Sequence, residues 1–259
     1  MAKVIAVANQ KGGCSKTSVV ANLSIGLVMA GKKVCVIDAD PQGSLTASLG
    51  FQEPDDIRYT LATIMMKIIN EEEIDPLEGI LHHEEGVDLV PANIELSGLE
   101  VSLANAMSRE LILKEYVEQL RDQYEYILID CMPSLGVMTI NALVAADRVL
   151  IPVQAAYLPV KGLQQLIKTV TVVKKRLNKD LKIEGILITM VDYRTNYAKD
   201  ITEMLQDSYG ETVGLMKSYI PFSVKVAEAS AEGSSIYRYA PRCKVTESFE
   251  NLTREVLAR

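Results

Sequence analysis

Two lysines and two glycines lie close together directly after a short apolar run near the start of the chain. The segment reads Lys11-Gly12-Gly13-Cys14-Ser15-Lys16-Thr17, and Ser18 follows it. Glycines let a backbone curl so that its N–H groups point at phosphate oxygens, and the N-terminus of a helix adds a partial positive charge. We therefore predict a phosphate-binding loop in which the Lys16 ammonium reaches the β- and γ-phosphates and the Thr17 hydroxyl binds Mg²⁺.

Three aspartates stand where predicted strands end. Asp38 and Asp40 follow one apolar run, and Asp130 closes the apolar run 127–129. In an open α/β sheet the carboxyl ends of the strands line the ligand crevice, so these acids are expected to face the phosphates. An acid in the position of Asp130 is typical of a Walker B motif, which holds Mg²⁺ directly or through water. The alternative for Asp38 and Asp40 is helix capping or a solvated loop.

Apolar runs alternate with segments of helical periodicity along the chain. Strands are predicted at 4–8, 33–38, 87–90, 126–130, 148–153 and 183–190, and helices at 17–30, 108–122, 135–146, 160–178, 196–208 and 244–258. This alternation predicts an α/β fold with a doubly wound, mostly parallel sheet of the P-loop NTPase type, in a single domain over residues 1–259. Residues 51–86 have weak periodicity and are expected to form short helices beside the sheet.

Composition narrows the class of protein. Apolar residues make up 48% of the 259, enough for a large core, yet no run is long enough to predict a transmembrane helix. The start of the chain does not resemble a signal peptide, so we expect a cytoplasmic protein with four reduced cysteines. The adjacent His82 and His83 are expected at the surface. A net charge of −7 argues against a protein coated by nucleic acid over its whole surface.

Several segments together resemble the ParA/Soj branch of the deviant Walker ATPases, over nearly the whole chain. The similar segments are 8–13 (ANQKGG), 36–43 (VIDADPQG), 89–96 (LVPANIEL), 127–130 (ILID), 152–154 (PVQ), 194–196 (RTN) and 224–229 (VKVAEA). The chain departs from the family pattern at Ser15, where a glycine is usual, at Met132, and at Phe222.

The resemblance implies roles for particular residues. Lys11, Lys16 and Asp40 would be catalytic: Lys11 reaches the partner subunit's nucleotide, and Asp40 orients or activates the attacking water. Gly12 would let two loops approach closely in a homodimer that forms with ATP. Thr17, Asp38 and Asp130 would serve the Mg²⁺ ion, and residues 11–18 would bind the ATP phosphates. Pro221 and Val224, in a segment that differs from the family at Phe222, would contact the adenine.

A basic face is the candidate DNA-binding surface. Lys161, Lys168 and Lys175 recur every seven residues on one predicted helix, so they form a single stripe, and Arg194 and Lys199 follow the next strand. The family uses arginines in this region to hold DNA without sequence choice, and such contacts are sensitive to salt. The alternative is a solvated helix face whose lysines extend to water.

The resemblance implies an ATP-switched DNA partition ATPase with weak intrinsic activity. ATP would drive dimerisation and non-specific DNA binding on the nucleoid, and a ParB-like centromere-binding protein would stimulate hydrolysis and release. A MinD-like membrane-cycling ATPase is a second hypothesis, although the acidic C-terminal segment argues against stable membrane association. A nucleotide-binding DNA scaffold that scarcely hydrolyses ATP is a third, since a serine at position 15 would cost about 1–2 kcal/mol if that position requires positive φ.

Overall fold

A central sheet carries the fold. The computed structural model describes residues 1–155, 157–192 and 196–259, with only the backbone described at 157–161, 196 and 197. These residues form one sheet of eight strands in the order β3-β4-β2-β5-β1-β6-β7-β8, parallel except for β3 against β4. The strands are β1 Lys3–Val7, β2 Val34–Ala39, β3 Leu81–His82, β4 Asp88–Val90, β5 Tyr126–Cys131, β6 Arg148–Gln154, β7 Lys182–Val191 and β8 Leu215–Pro221.

Helices cover both faces of the sheet. They are α1 Lys16–Met29, α2 Ser44–Ser48, α3 Leu61–Ile69, α4 Glu95–Leu103, α5 Ile112–Leu120, α6 Val137–Ala145, α7 Tyr157–Arg176, α8 Asn196–Tyr209, α9 Val224–Ala231, α10 Ile236–Tyr239 and α11 Lys244–Leu257, with a 3₁₀ helix at Pro54–Asp56. The apolar side chains of α1 and α11 pack on one face, and those of α3 to α8 pack on the other. The predicted doubly wound, mostly parallel sheet is confirmed.

The predicted elements match the structure wherever apolar periodicity is regular. α1 ends close to Gly31, whose φ of 80° marks the predicted helix stop and whose N–H bonds to the carbonyl of Val28. Phe249, Leu252 and Val256 of α11 are fully buried, as predicted. No helix in the described part of the chain has both the length and the apolar character needed to cross a bilayer.

Other predictions were wrong or incomplete. The helix predicted at 108–122 begins only at Ile112, and residues 51–86 contain the short edge strand β3 as well as α3. His83 is buried, with its Nε2 atom 3.1 Å from the carbonyl oxygen of Gly233, because the turn at 83–86 packs under the loop after α9. His82 is exposed and pairs with Asp88, as expected of a surface residue.

Strand β8 lies at one edge of the sheet and was not predicted. The last helix covers part of its open side: the Glu255 carboxylate of α11 accepts the backbone N–H groups of Lys217 at 2.9 Å and Ser218 at 2.8 Å. Arg259 donates to the same carboxylate at 2.8 Å. Although burial opposes the shift, these N–H groups and Arg259 lower the pKa of Glu255.

Candidate nucleotide-binding site

The lysine- and glycine-rich segment forms the turn between the central strand β1 and helix α1. Gly13 has a φ of 71° and Ser15 a φ of 70°, so two residues adopt the left-handed conformation that brings the chain around into the helix. α1 begins at Lys16, and the carbonyl of Ser15 accepts its first helical hydrogen bond, from Val19 at 2.9 Å. The backbone N–H groups before and within this first turn have no helical partners and are free to bind an anion.

Asn9 holds the entry to this loop, and sequence reasoning gave it no role. Its side-chain oxygen accepts the backbone N–H of Lys11 at 3.0 Å, while its amide nitrogen donates to the carbonyl of Pro152 at 2.7 Å. The buried side chain therefore ties the loop to the end of the neighbouring strand β6. The one indication in the sequence was that Asn9 belongs to the segment 8–13, which resembles the family pattern. A single sequence does not show the hydrogen-bond partners of Asn9.

The two lysines of the loop differ in their surroundings. Lys16 is buried, and its ammonium donates to the carbonyl oxygen of Lys11 at 3.2 Å, across the interior of the loop. The side chain of Lys11 is exposed, as are its neighbours Gly12 and Gly13. One cation therefore lies inside the loop, and the other faces outward.

Asp130 lies beside the helix start, at the end of β5. It stands in register with Val7 of β1 on one side and with Asp38 of β2 on the other. Its Oδ2 atom accepts the Thr17 hydroxyl at 2.7 Å, whereas its buried Oδ1 atom has no hydrogen-bond partner among the described residues. Burial and the neighbouring Asp38 raise the pKa of Asp130 well above its ordinary value. A cation beside Oδ1 would satisfy this oxygen, so the donor set fits Mg²⁺.

Asp38 is completely buried and is held in part by Thr46, a residue that the sequence did not single out. Its Oδ2 atom accepts the backbone N–H of Thr46 at 2.9 Å and the Thr46 hydroxyl at 2.8 Å, and its Oδ1 atom accepts the N–H of Asp40 at 3.2 Å. Burial raises the pKa of Asp38 to about 7 despite these bonds. Because both oxygens already have donors, Asp38 suits an outer position, where it would orient water around a metal.

Asp40 directly follows β2 and is only half-buried. One of its carboxylate oxygens accepts the backbone N–H of Gln42 at 3.0 Å, and its carbonyl accepts the N–H of Gly43 at 3.0 Å. These bonds hold the side chain at the carboxyl edge of the sheet, where water can reach it. The structure thus brings the phosphate loop and all three predicted aspartates to one edge of the sheet.

Comparison with known proteins places this site in a family. Residues 2–183 match the protein family described as an AAA domain. The chain is 42% identical over 258 residues to the sporulation initiation inhibitor protein Soj of Bacillus subtilis, covering 100% of this chain and 99% of that protein. It is 39% identical over 259 residues to the chromosome partitioning protein ParA of Myxococcus xanthus, covering 99% of this chain and 88% of that protein. The chain belongs to the ParA/Soj family of partition ATPases.

A solved structure also matches this ParA/Soj chain over nearly its full length. The structure is of cobyrinic acid a,c-diamide synthase from Mycobacterium smegmatis, with a bound ATP analogue and magnesium. The TM-score is 0.88 at 33% identity, and the match covers 99% of this chain and 94% of that one. A fold of the ParA/Soj type is thus known to carry a nucleotide and a magnesium ion.

The residues predicted to contact the adenine lie at the carboxyl end of β8, the outermost strand on one side of the sheet in this ParA/Soj chain. Pro221 ends β8, three strands from β1, and Val224 begins α9 with 57% of its surface exposed. Ser223 caps α9 by accepting the N–H of Lys225 at 3.3 Å. Phe222, where the ParA/Soj pattern differs, is 66% exposed. Pro221 and Val224 as adenine contacts therefore stay a prediction.

The basic residues are partly described. Lys168 and Lys175 are exposed on α7, whose apolar side packs on the sheet, and Lys199 is exposed on α8. The side chain of Lys161 and the whole of Arg194 lie outside the described residues. The described members of this basic face are therefore available at the surface, and their binding to DNA stays a prediction.

The left-handed conformation of Ser15 gives a prediction for the stability of this ParA/Soj chain. A serine at positive φ costs about 1–2 kcal/mol, whereas glycine adopts that region freely but loses more entropy on folding. Ser15→Gly is therefore expected to raise the free energy of unfolding of the nucleotide-free protein by about 0.5–1 kcal/mol. Urea unfolding followed by circular dichroism measures it. Ser18→Gly, the same replacement inside α1, is the control and should lower the stability; a loss with Ser15→Gly would contradict the prediction.

Proposed function

We propose that this protein is an ATP-switched partition ATPase that binds Mg–ATP in the loop 11–18, dimerises through it and holds DNA. The observation that carries the proposal is the Asp130 carboxylate, which is buried, receives the Thr17 hydroxyl and has one oxygen without a partner. That oxygen lies beside a loop that contains a buried ammonium and free backbone N–H groups. The relatives of this protein, Soj and ParA, are named for sporulation control and chromosome partitioning.

Each residue of the site has a definite part in this proposal. The N–H groups of residues 12–18 and the Lys16 ammonium bind the phosphates, while the Lys11 N–H stays bonded to Asn9. Thr17 and Asp130 would hold Mg²⁺, which when bound would supply positive charge to the phosphates, and Asp38 would orient water beside it. Asp40 accepts a hydrogen bond from the attacking water and aligns it. Among the described residues the Asp40 carboxylate is positioned by the backbone N–H of Gln42, without a side-chain partner, so slow intrinsic hydrolysis is expected.

A second subunit completes the proposed site. Lys11 is exposed to solvent, whereas Lys16 is buried within the loop. A Cβ atom added at Gly12 would meet nothing within 4 Å, and Gly12 is not among the residues with positive φ. Nothing within the described chain therefore requires glycine at this position. The close approach of another polypeptide would require it, which supports a dimer in which each Lys11 reaches the partner's nucleotide.

Size-exclusion chromatography with ATP, ADP and no nucleotide tests the proposed switch. The wild-type protein should form a dimer only with ATP, and Asp40→Ala should hold that dimer longer because hydrolysis is lost. Gly12→Val should fold with nearly unchanged stability and bind ATP, yet it should stay monomeric. The valine side chain has room within one subunit but not between two. A wild-type protein that elutes as a monomer with every nucleotide would refute the switch.

Phosphate release by the same proteins separates the ATPase from a scaffold that only holds nucleotide. Asp40→Ala should release phosphate at least 10²-fold more slowly than wild type, the usual contribution of a positioned general base. Equal rates would refute the role of Asp40 and favour the scaffold.

The exposed lysines of α7 support DNA binding without sequence choice. Phosphate contacts require only positive charge, and each one that is lost reduces the salt dependence of binding. The double substitution Lys168→Glu with Lys175→Glu should weaken binding of the ATP-bound protein to random-sequence duplex DNA by about 10-fold or more at low salt.

Filter binding across a salt series measures this effect. Arg242→Glu with Lys244→Glu is the matched control, because it changes the net charge equally but near α11, on the opposite face of the sheet. Equal losses in the two double variants would indicate only a general charge effect. Affinity that ignores both salt and ATP would contradict the DNA hypothesis.

A ParB-like centromere-binding protein is the proposed partner that stimulates hydrolysis, and nucleoid association in the cytoplasm is the proposed location.

The membrane-cycling alternative is not supported, because it requires an apolar helix face free to enter a bilayer. The apolar side chains of α11 are instead buried against the sheet and α1, and its outer surface carries Glu247 and Glu250.

A further inference from the structure

Thr189 is a buried hydroxyl residue near the end of β7, outside the loop 11–18. Its hydroxyl donates to the backbone carbonyl of Cys14 at 3.1 Å. Alternate residues of a strand share a face, so Thr189 lies on the face of Leu187, which belongs to the layer packed by α1. The loop therefore contacts β7 as well as β1 and β6.

This bond orients the peptide unit between Cys14 and Ser15. In a trans peptide the C=O and the following N–H point in opposite directions, and the described backbone contains no cis peptide. A Cys14 carbonyl held towards Thr189 therefore directs the Ser15 N–H away from β7. That N–H lies immediately before α1, among the groups that a helix leaves free for an anion.

Unusual backbone conformations lie at both ends of this bond. Ser15 has a φ of 70°, which a serine adopts only at a cost in free energy, and Met190, directly after Thr189, has a φ of 53°. The register between β7 and β8 shifts between Ile188 and Val191. Bulges of this kind re-aim a side chain, and strained residues persist only where their surroundings hold them in place.

We propose that Thr189 is a positioning residue for the phosphate loop, whose hydroxyl fixes the Cys14–Ser15 peptide so that the Ser15 N–H is presented to a nucleotide phosphate. The proposal rests on the proposed function, because a nucleotide supplies the phosphate. Thr189 does not itself touch the ligand. Its effect comes through the direction of one backbone N–H group.

Two substitutions at Thr189 separate positioning from packing. Thr189→Val keeps the shape of the side chain but removes the hydroxyl, and it should weaken ADP binding in the presence of Mg²⁺ by about 10-fold, the usual effect of one buried hydrogen bond. Thr189→Ser keeps the hydroxyl but loses a methyl group from the core, so it should unfold more easily yet bind ADP within about 2-fold of wild type. Isothermal titration with ADP and urea unfolding measure the two properties.

A second pair of measurements tests the direction of the peptide. In the Ser15→Gly background the left-handed conformation needs no support, so Thr189→Val should cost less affinity than in wild type. The NMR chemical shift of the Ser15 amide should also differ between nucleotide-free Thr189→Val and wild type, because the Cys14–Ser15 peptide is no longer held by the hydroxyl. Equal ADP affinity of Thr189→Val and wild type would overturn the proposal, as would a Thr189→Ser variant as weak as Thr189→Val. Failure of the wild-type protein itself to bind ADP would instead refute the proposed function, and this positioning role with it.

Discussion

Asp130→Asn is expected to stabilise the protein without its ligands and to remove most of the effect of Mg²⁺ on nucleotide binding. Burial and Asp38 raise the pKa of Asp130 well above the ordinary 3.8. A carboxyl whose pKa is raised by folding stabilises the protein fully only below its unfolded pKa, and that contribution is lost as the pH rises. The neutral amide escapes this loss, so the variant should have a higher free energy of unfolding than wild type at pH 8.

Urea unfolding in EDTA between pH 5 and pH 8 measures the stability, and the gain should grow with pH. Titration with ADP, with and without Mg²⁺, measures the second effect: the amide should reduce the enhancement by Mg²⁺ about 10- to 100-fold, as loss of a metal-site partner does. Glu250→Gln on the outer surface of α11 is the control and should change neither property. A variant no more stable than wild type would contradict the burial argument, and an unchanged Mg²⁺ effect would contradict the metal site.

Lys16→Gln and Lys11→Gln are expected to affect nucleotide binding differently, because Lys16 lies inside the loop and Lys11 is exposed outside it. Lys16 is buried with the carbonyl of Lys11 as its partner. Lys16→Gln removes a desolvated charge from the phosphates and should cost about 3 kcal/mol, or roughly 100-fold in affinity for ADP. Lys11→Gln should change the affinity of one subunit for ADP less than about 3-fold, because an exposed charge contributes little.

Fluorescence titration with a labelled ADP measures both affinities, and chromatography with ATP completes the comparison. Lys11→Gln should bind nucleotide but form no stable ATP dimer and hydrolyse ATP slowly, whereas Lys16→Gln should fail at the first step. If Lys11→Gln loses affinity for ADP as severely as Lys16→Gln, then Lys11 acts within its own subunit, and the shared site is wrong.

The sequence predicts the centre of this fold well because local pattern and tertiary position agree there. β1, β2 and β5 consist mainly of apolar residues, as strands buried on both faces must, and residues of the site lie at or just after the carboxyl end of each. Since carboxyl ends of parallel strands meet at one edge, the convergence of Asp38, Asp130 and the loop follows from the strand assignments alone.

The remaining features depend on contacts that a single sequence does not show. β8 escaped prediction because its register against β7 shifts twice, which breaks the alternation of buried and exposed residues. Thr46 and Asn9 have ordinary residue types, and their importance comes only from partners brought close by the fold. The sequence alone left open whether position 15 has a positive φ, and the structure shows that Ser15 adopts the left-handed region with a φ of 70°.

The covered edge of β8 limits how molecules of this protein can join one another. An outer strand with free N–H groups is a template to which another strand can be added, and repeated addition would build a continuous ribbon of sheet. In this chain Glu255 already occupies the N–H groups of Lys217 and Ser218, and an incoming strand would have to displace a carboxylate also held by Arg259. At this edge, copies of the protein would therefore associate through side-chain surfaces that can separate again, and not through a shared backbone ladder that resists disassembly.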